Sequence, residues 1–148
     1  MVRGGAIDFG GNLISIYPGT IRLATIGTMN WNVEFHLLFV PEFQALAQEV
    51  QDEILSRIGV LEQFGPALGR PNVDTLNGSK YKNMKELRFD VDDGVWRLAF
   101  AFDVRRRAIL LVAGDKAGVN QKRFYQTLIK KADDRFKQHL QTLEDSQP

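Results

Sequence analysis

Met84-Lys85-Glu86-Leu87-Arg88-Phe89-Asp90-Val91, then Asp92-Asp93-Gly94, then Val95-Trp96-Arg97-Leu98-Ala99-Phe100-Ala101-Phe102 is a hairpin written in residue types. Apolar Leu87, Phe89 and Val91 alternate with Glu86, Arg88 and Asp90, and Trp96, Leu98, Phe100 and Phe102 alternate with Arg97, Ala99 and Ala101, a period of two that marks half-buried strands. The Asp-Asp-Gly triplet supplies the tight turn. Both Arg88 and Arg97 then fall on the face opposite the large apolar side chains, close enough to repel unless a carboxylate such as Glu86 or Asp90, or a bound phosphate, lies between them. The fully apolar run Ala108 to Ala113 predicts a central third strand, with Arg105-Arg106-Arg107 before it as an exposed, solvated turn.

Downstream, Gly114-Asp115-Lys116-Ala117-Gly118 reads as a flexible loop without the spacing of a phosphate-cradling Walker motif. From Gln121 onward Phe124, Leu128, Ala132, Phe136, Leu140 and Leu143 step at three and four, predicting one long helix with Tyr125 beside its apolar stripe. Upstream, Gly65 to Asn83 is rich in Gly, Pro and Asn and reads as a long surface connection carrying Lys80 and Lys82. Before it, Phe43, Leu46, Ala47, Val50, Ile54, Ile58 and Leu61 predict a helical hairpin kinked near Glu49 to Asp52, with Glu42, Glu49, Asp52, Glu53 and Glu62 in water. Trp31 to Phe35 alternates as a strand, which puts His36 on the polar side as an ordinary surface histidine. Residues 1–28, rich in glycine and without a sustained period, are expected to be an upstream, poorly ordered extension, and 29–148 the domain; an edge strand through Leu13 to Tyr17 or Ile21 to Ile26 is the alternative.

A chain of 148 residues, 44% hydrophobic and 25% charged, suits one globular domain. It has no cysteine, hence neither a disulfide framework nor a thiolate metal site, and no apolar run near the roughly 20 residues needed to span a bilayer. A cytoplasmic protein without cofactor or metal is the simplest expectation. The net charge of +1 hides an asymmetry: residues 29–69 sum to −5 and residues 70–148 to +5. The second half can therefore offer a basic face to a polyanion.

Taken together, Glu86-Leu87-Arg88, Trp96-Arg97-Leu98-Ala99-Phe100, the run Ile109 to Lys116 and Lys122-Arg123-Phe124-Tyr125 resemble the RelE/ParE superfamily of toxins from type II toxin-antitoxin modules, and within it the HigB-related, phage-derived branch. The resemblance implies an α+β, RelE-like fold: an antiparallel-rich sheet of about four strands, an N-terminal helical hairpin and a long C-terminal helix. It also implies a ribosome-dependent mRNA endoribonuclease (mRNA interferase) that inhibits translation without metal. Attack of a ribose 2′-oxygen on the adjacent phosphate would give a 2′,3′-cyclic phosphate. Implied partners are a cognate antitoxin of helix-turn-helix type, the ribosome and mRNA, and no membrane.

By position, the resemblance makes Arg88, Arg97, Lys82 and Tyr125 the catalytic set, and Lys80, Lys85, Lys116, Lys122 and Arg123 the RNA-binding set. Such arginines can pair bidentately with phosphate oxygens, and a lysine crowded by other cations becomes a better base near neutral pH. HigB-related proteins commonly carry two lysines after the glycine that corresponds to Gly114; this chain has Asp115-Lys116-Ala117. Neither His36 nor His139 falls at a catalytic histidine position. Two other classes share the resemblance, a ParE-like inhibitor of DNA gyrase and a non-catalytic, toxin-like binding module.

Overall fold

The computed structural model describes residues 31–146, together with the backbone of three short strands that precede them, Ala6–Phe9 (β1), Asn12–Tyr17 (β2) and Thr20–Ala24 (β3). The expected extension over residues 1–28 lies outside the residues whose side chains are described. The remaining strands are Asn32–His36 (β4), Val73–Thr75 (β5), Met84–Val91 (β6), Gly94–Phe102 (β7) and Arg107–Asp115 (β8). The helices are Phe39–Gln44 (α1), Gln48–Phe64 (α2) and Gln121–Asp145 (α3). The strands form one sheet in the order β1-β2-β3-β4-β8-β7-β6-β5, antiparallel throughout except where β4 runs parallel to β8.

The α+β architecture is the one the residue pattern implies, with a fifth strand where four were expected among residues 31–146. Val73–Thr75 pairs with Lys85–Leu87 inside the stretch read as a loop. Three residues are too short to show a period, and only the neighbouring β6 backbone makes a strand of them. The helical hairpin is also present, but its break falls at Ala45–Ala47, before the residues expected to kink.

Over β4 to β8 the sheet is covered on both faces. On one, α1 and α2 lay Phe39, Phe43, Val50, Ile54, Ile58 and Leu61 over Val33, Phe35, Leu87, Phe89, Leu98, Phe100 and Leu110. On the other, α3 lays Phe124, Leu128, Ala132 and Phe136 over Met84, Ala99, Ala101, Ile109, Leu111 and Val112. The alternation read in β6 and β7 thus separates two cores: the large side chains serve α2, and the alanines give α3 a flat bed to approach closely. Near the site, α3 is fixed by Asn120, whose side chain accepts from the Arg123 amide and so caps the helix.

Burial on both faces overturns three expectations about polar residues. His36 and Glu34 lie in the interior, 4% and 5% exposed, because β4 sits between β3 and β8 and its polar side meets α3 rather than water. Glu62 is likewise buried. Arg107, expected in a solvated turn, points inward and ion-pairs with Asp103 at 2.8 Å and Glu34 at 3.2 Å. Arg106 lies over the Trp31 ring, 4.4 Å from its centre. Asp103 is the hub: it accepts from the Arg105 and Arg107 amides and from the Arg107 guanidinium, and its Oδ2 lies 2.8 Å from His139 Nε2. Burial alone would push the Asp103 carboxyl up, but the His139 and Arg107 hydrogen bonds and the Arg107 charge outweigh it and hold it below the ordinary carboxylate value.

Candidate functional site

The site is built on the α3 side of the sheet where β6, β7 and β8 run past the start of that helix. The register places Arg88 directly opposite Arg97, and Arg97 directly opposite Gly114, so three strands contribute to one row. Alignment with Gly114 depends on an irregularity in β7–β8: Ala99 pairs with Val112 but Phe100 with Leu110, leaving Leu111 as the extra residue. A bulge of this kind changes which residues of a strand share a face, and here it turns Gly114 toward α3. A Cβ at Gly114 would sit 2.9 Å from the Phe124 ring, so the absent side chain is what lets the first turn of α3 settle on the sheet. Tyr125, the next residue, is thereby carried over β6 and donates its hydroxyl to Glu86 Oε1 at 3.3 Å.

Around this row the groups fall into a floor and a rim. Arg97 and Glu86 are the floor, 5% and 6% exposed. Arg97 donates through Nη1 to the Trp96 carbonyl, while its Nε and Glu86 Oε2 are both buried without a hydrogen-bond partner. The rim is formed by Arg88, which reaches Asp74 at 3.8 Å and Glu86 at 3.9 Å, and by Lys116, whose Nζ lies 5.9 Å from the centre of the Tyr125 ring. Burial, then the positive charges of Arg97 and Arg88, lower the Lys116 pKa from its ordinary value, with Glu86 and Asp90 opposing. Burial raises the Tyr125 phenol, the Arg97 guanidinium works the other way, and the Glu86 charge adds to the rise. The phenol therefore keeps its proton at neutral pH and remains a donor to Glu86.

Of the residues singled out in the sequence, the structure brings together Arg88, Arg97, Tyr125 and Lys116. Lys122 and Arg123 are exposed on the first turn of α3. Lys82 is exposed in the turn before β6, six residues ahead of Arg88 and at the far end of that strand. Lys80 is also exposed, and its amide donates to Asp133, two turns further along α3 than Tyr125. Lys85 alternates to the opposite face of β6 from Arg88, and its ammonium donates to Thr75 Oγ1 at 3.2 Å. The residue missing from the sequence reading of the site is Glu86, seen there only as a counter-charge. Its place two residues before Arg88, on the same face of the strand, was a signal that it shares the site. Among the described residues no group of three or more His, Asp or Glu is placed to hold a metal ion, and no helix is long and apolar enough to cross a membrane.

Comparison with known proteins covers the same part of the chain. Residues 41–137 match the family model described as "Phage derived protein Gp49-like (DUF891)". The chain belongs to the Gp49-like family. Two relatives from Mycobacterium tuberculosis bear names. One, "Putative toxin HigB2", is 47% identical over 104 residues, 70% of this chain and 51% of that protein. The other, "Putative toxin HigB3", is 47% identical over 98 residues, 66% of this chain and 83% of that protein. The chain thus spans about half the length of the first relative and most of the second. No solved structure matches. The stretch that matches the Gp49-like model runs from within α1 through most of α3 and includes every residue of the cluster just described.

Proposed function

We propose that this Gp49-like chain is the toxin of a type II toxin-antitoxin module and that it cuts messenger RNA on the ribosome. The names of the two mycobacterial relatives support the toxin part of the reading. The observation that carries the ribonuclease part is the facing pair Arg88 and Arg97, with a tyrosine hydroxyl and a lysine ammonium beside them. Two guanidiniums across one strand pair can hold the two non-bridging oxygens of a phosphate and stabilise the charge that builds on them during in-line attack by the neighbouring 2′-oxygen. Lys116 supplies the proton that the departing 5′-oxygen needs. Its lowered pKa makes it a stronger acid than an ordinary lysine. The positive end of the α3 dipole, together with Lys122 and Arg123, adds an attractive field for the RNA backbone at the same edge.

In this reading a cognate antitoxin holds the protein inactive in the cytoplasm, and the ribosome presents the substrate. The test is induction of the chain in cells with and without the neighbouring gene product, with mRNA ends mapped by primer extension. Codon-periodic cuts that disappear in Arg97→Ala and Tyr125→Phe support the reading. Growth arrest with intact mRNA and damaged DNA would replace it with a gyrase inhibitor, and absence of toxicity with a binding module.

A further inference from the structure

Glu86 is an unusual counter-ion for the two arginines beside it. Its nearest guanidinium contact, Arg88 Nε, is 3.9 Å away, beyond hydrogen-bonding distance. Arg97 directs Nη1 to a backbone carbonyl instead. An ionised carboxylate offers about four acceptor positions. Glu86 uses one of them, for the Tyr125 hydroxyl at 3.3 Å, and keeps Oε2 buried and unpartnered. Leaving a buried polar atom unsatisfied costs stability, and such a cost concentrates where a group has work to do. Glu86 is also closed to bulk water, whereas Tyr125 is half-buried with its ring against Lys116 at the rim. The tyrosine is therefore the group a substrate can touch, and the glutamate is the group behind it.

We propose that Tyr125 and Glu86 form a two-member proton relay, in which the tyrosine oxygen takes the proton of the attacking 2′-hydroxyl while passing its own proton to Glu86. The relay rests on the ribonuclease reading above and assigns the base that the lysines at positions 80, 82 and 85 do not supply. In the step, a bond forms between the 2′-oxygen and phosphorus as the bond from phosphorus to the 5′-oxygen breaks. The 2′-hydroxyl proton moves to Tyr125 Oη and the proton already there moves to Glu86, which becomes a neutral carboxylic acid while the phenol stays neutral throughout. The 5′-oxygen takes a proton from the Lys116 ammonium. Between turnovers Glu86 returns its proton to Tyr125 as the phenol gives one up to solvent at the rim, and Lys116 regains one, so protons balance. The raised pKa of the phenol suits this role, since a relay needs the tyrosine to enter the step protonated.

The substitution that separates a relay from a positioning contact is Glu86→Gln, because the amide oxygen can still accept from Tyr125 and cannot take up a proton. The measurement is single-turnover cleavage of a short mRNA in the A site of programmed ribosomes, beside ribosome binding, thermal unfolding and antitoxin binding for each variant. General base catalysis contributes about 100- to 10,000-fold, so Glu86→Gln and Tyr125→Phe are each expected to slow cleavage by at least about 100-fold with binding unchanged. The double variant is expected to be no slower than either single one, as for residues acting as a unit. Glu86→Asp, which keeps a carboxylate, is expected to recover part of the rate. Cleavage by folded Glu86→Gln within about threefold of the parent would overturn the relay and leave the ribonuclease reading standing. If Glu86→Gln does not fold, full activity of folded Tyr125→Phe overturns it equally. Failure of the parent protein to cut mRNA on ribosomes removes both.

Discussion

Arg88 and Arg97 stand directly opposite each other across β6 and β7, and only one of them is open to solvent. Arg97 is held in the floor by its bond to the Trp96 carbonyl, whereas the Arg88 side chain is 37% exposed. The two should therefore act differently. Removing Arg97 takes away a fixed, preorganised donor, and Arg97→Ala is expected to lower the cleavage rate constant by about 100- to 1,000-fold with little change in ribosome affinity. Removing Arg88 takes away a solvent-exposed rim charge, and Arg88→Ala is expected to weaken binding and its salt dependence more than the rate constant. Single-turnover kinetics at several ribosome and salt concentrations separate the two effects.

Gly114 fixes the distance between α3 and the site. With a Cβ 2.9 Å from the Phe124 ring, Gly114→Ala must push the first turn of α3 outward and carry Tyr125 away from Glu86. The expected cost is about 1 to 3 kcal/mol of stability from overpacking. A loss of activity on the order of 100-fold should accompany it, the size of effect a small misplacement produces. Phe124→Leu in the Gly114→Ala background provides the check: by relieving the clash it should restore activity, while stability recovers only in part.

These two residues also show what the sequence could and could not disclose. That Arg88 and Arg97 share a face follows from a period of two and a short turn, both local features, and the long helix from a period of three and four. Their direct pairing depends on the turn being Asp92-Asp93 alone, with Gly94 paired to Val91 rather than lying in the turn. Gly114 facing α3 depends on the extra residue at Leu111, which leaves no mark in an apolar run such as Ala108 to Ala113. The interior positions of Glu34, His36 and Arg107 follow from β4 being a middle strand with cover on both faces, a fact of topology that alternation within five residues cannot reveal. For the same reason Lys82 and Lys85 looked equivalent to the site lysines until the strand's direction and face were fixed, and Glu86 looked like a counter-charge until Tyr125 was placed on it.

Lys116 should leave its mark on the pH profile. Its pKa lies below the ordinary lysine value, so the ammonium that serves as acid is lost at a lower pH than an exposed lysine would lose it. Cleavage is expected to fall as pH rises through that value. Lys116→Arg, which stays protonated, should abolish the decline while running slower at neutral pH. A profile of the single-turnover rate on the alkaline side, for parent and variant together, measures this. A decline identical in both would assign it to another group.

Asp103 lies far from the arginine pair and is expected to matter for folding alone. With the Asp103 side chain fully buried and bonded to Arg107 and His139, Asp103→Asn would leave the half-buried Arg107 guanidinium with Glu34 as its remaining ionic partner. Breaking one side of a fully buried pair costs about 3 to 5 kcal/mol, and the partial exposure of Arg107 puts this loss toward or below the lower end. Urea unfolding should show a lower midpoint with an unchanged slope. Any Asp103→Asn protein that remains folded should cut mRNA at the parental rate.

Mild acid is expected to destabilise the fold through His36. His36 accepts the Leu38 amide through Nδ1, and its pKa is lowered from 6.5 to about 4 by burial first, then by the charges of Arg135 and His139, with Glu42 opposing. The folded protein therefore keeps this imidazole neutral, whereas the unfolded chain protonates it near 6.5. Between those two values the unfolded state binds more protons, so its share of stability is complete above the higher one and is lost progressively as pH falls toward the lower one. The shift corresponds to at most about 3 kcal/mol. Asp103, with its carboxyl held below the ordinary value, adds a loss only at more acid pH, where the unfolded carboxyl is protonated and the folded one is not yet. Thermal unfolding between pH 7 and pH 4.5 should thus show a falling midpoint in the parent. In His36→Asn, where the side-chain oxygen can accept the Leu38 amide but does not titrate, the midpoint should start lower and fall less. An equal decline in both proteins would place the acid sensitivity elsewhere in the fold.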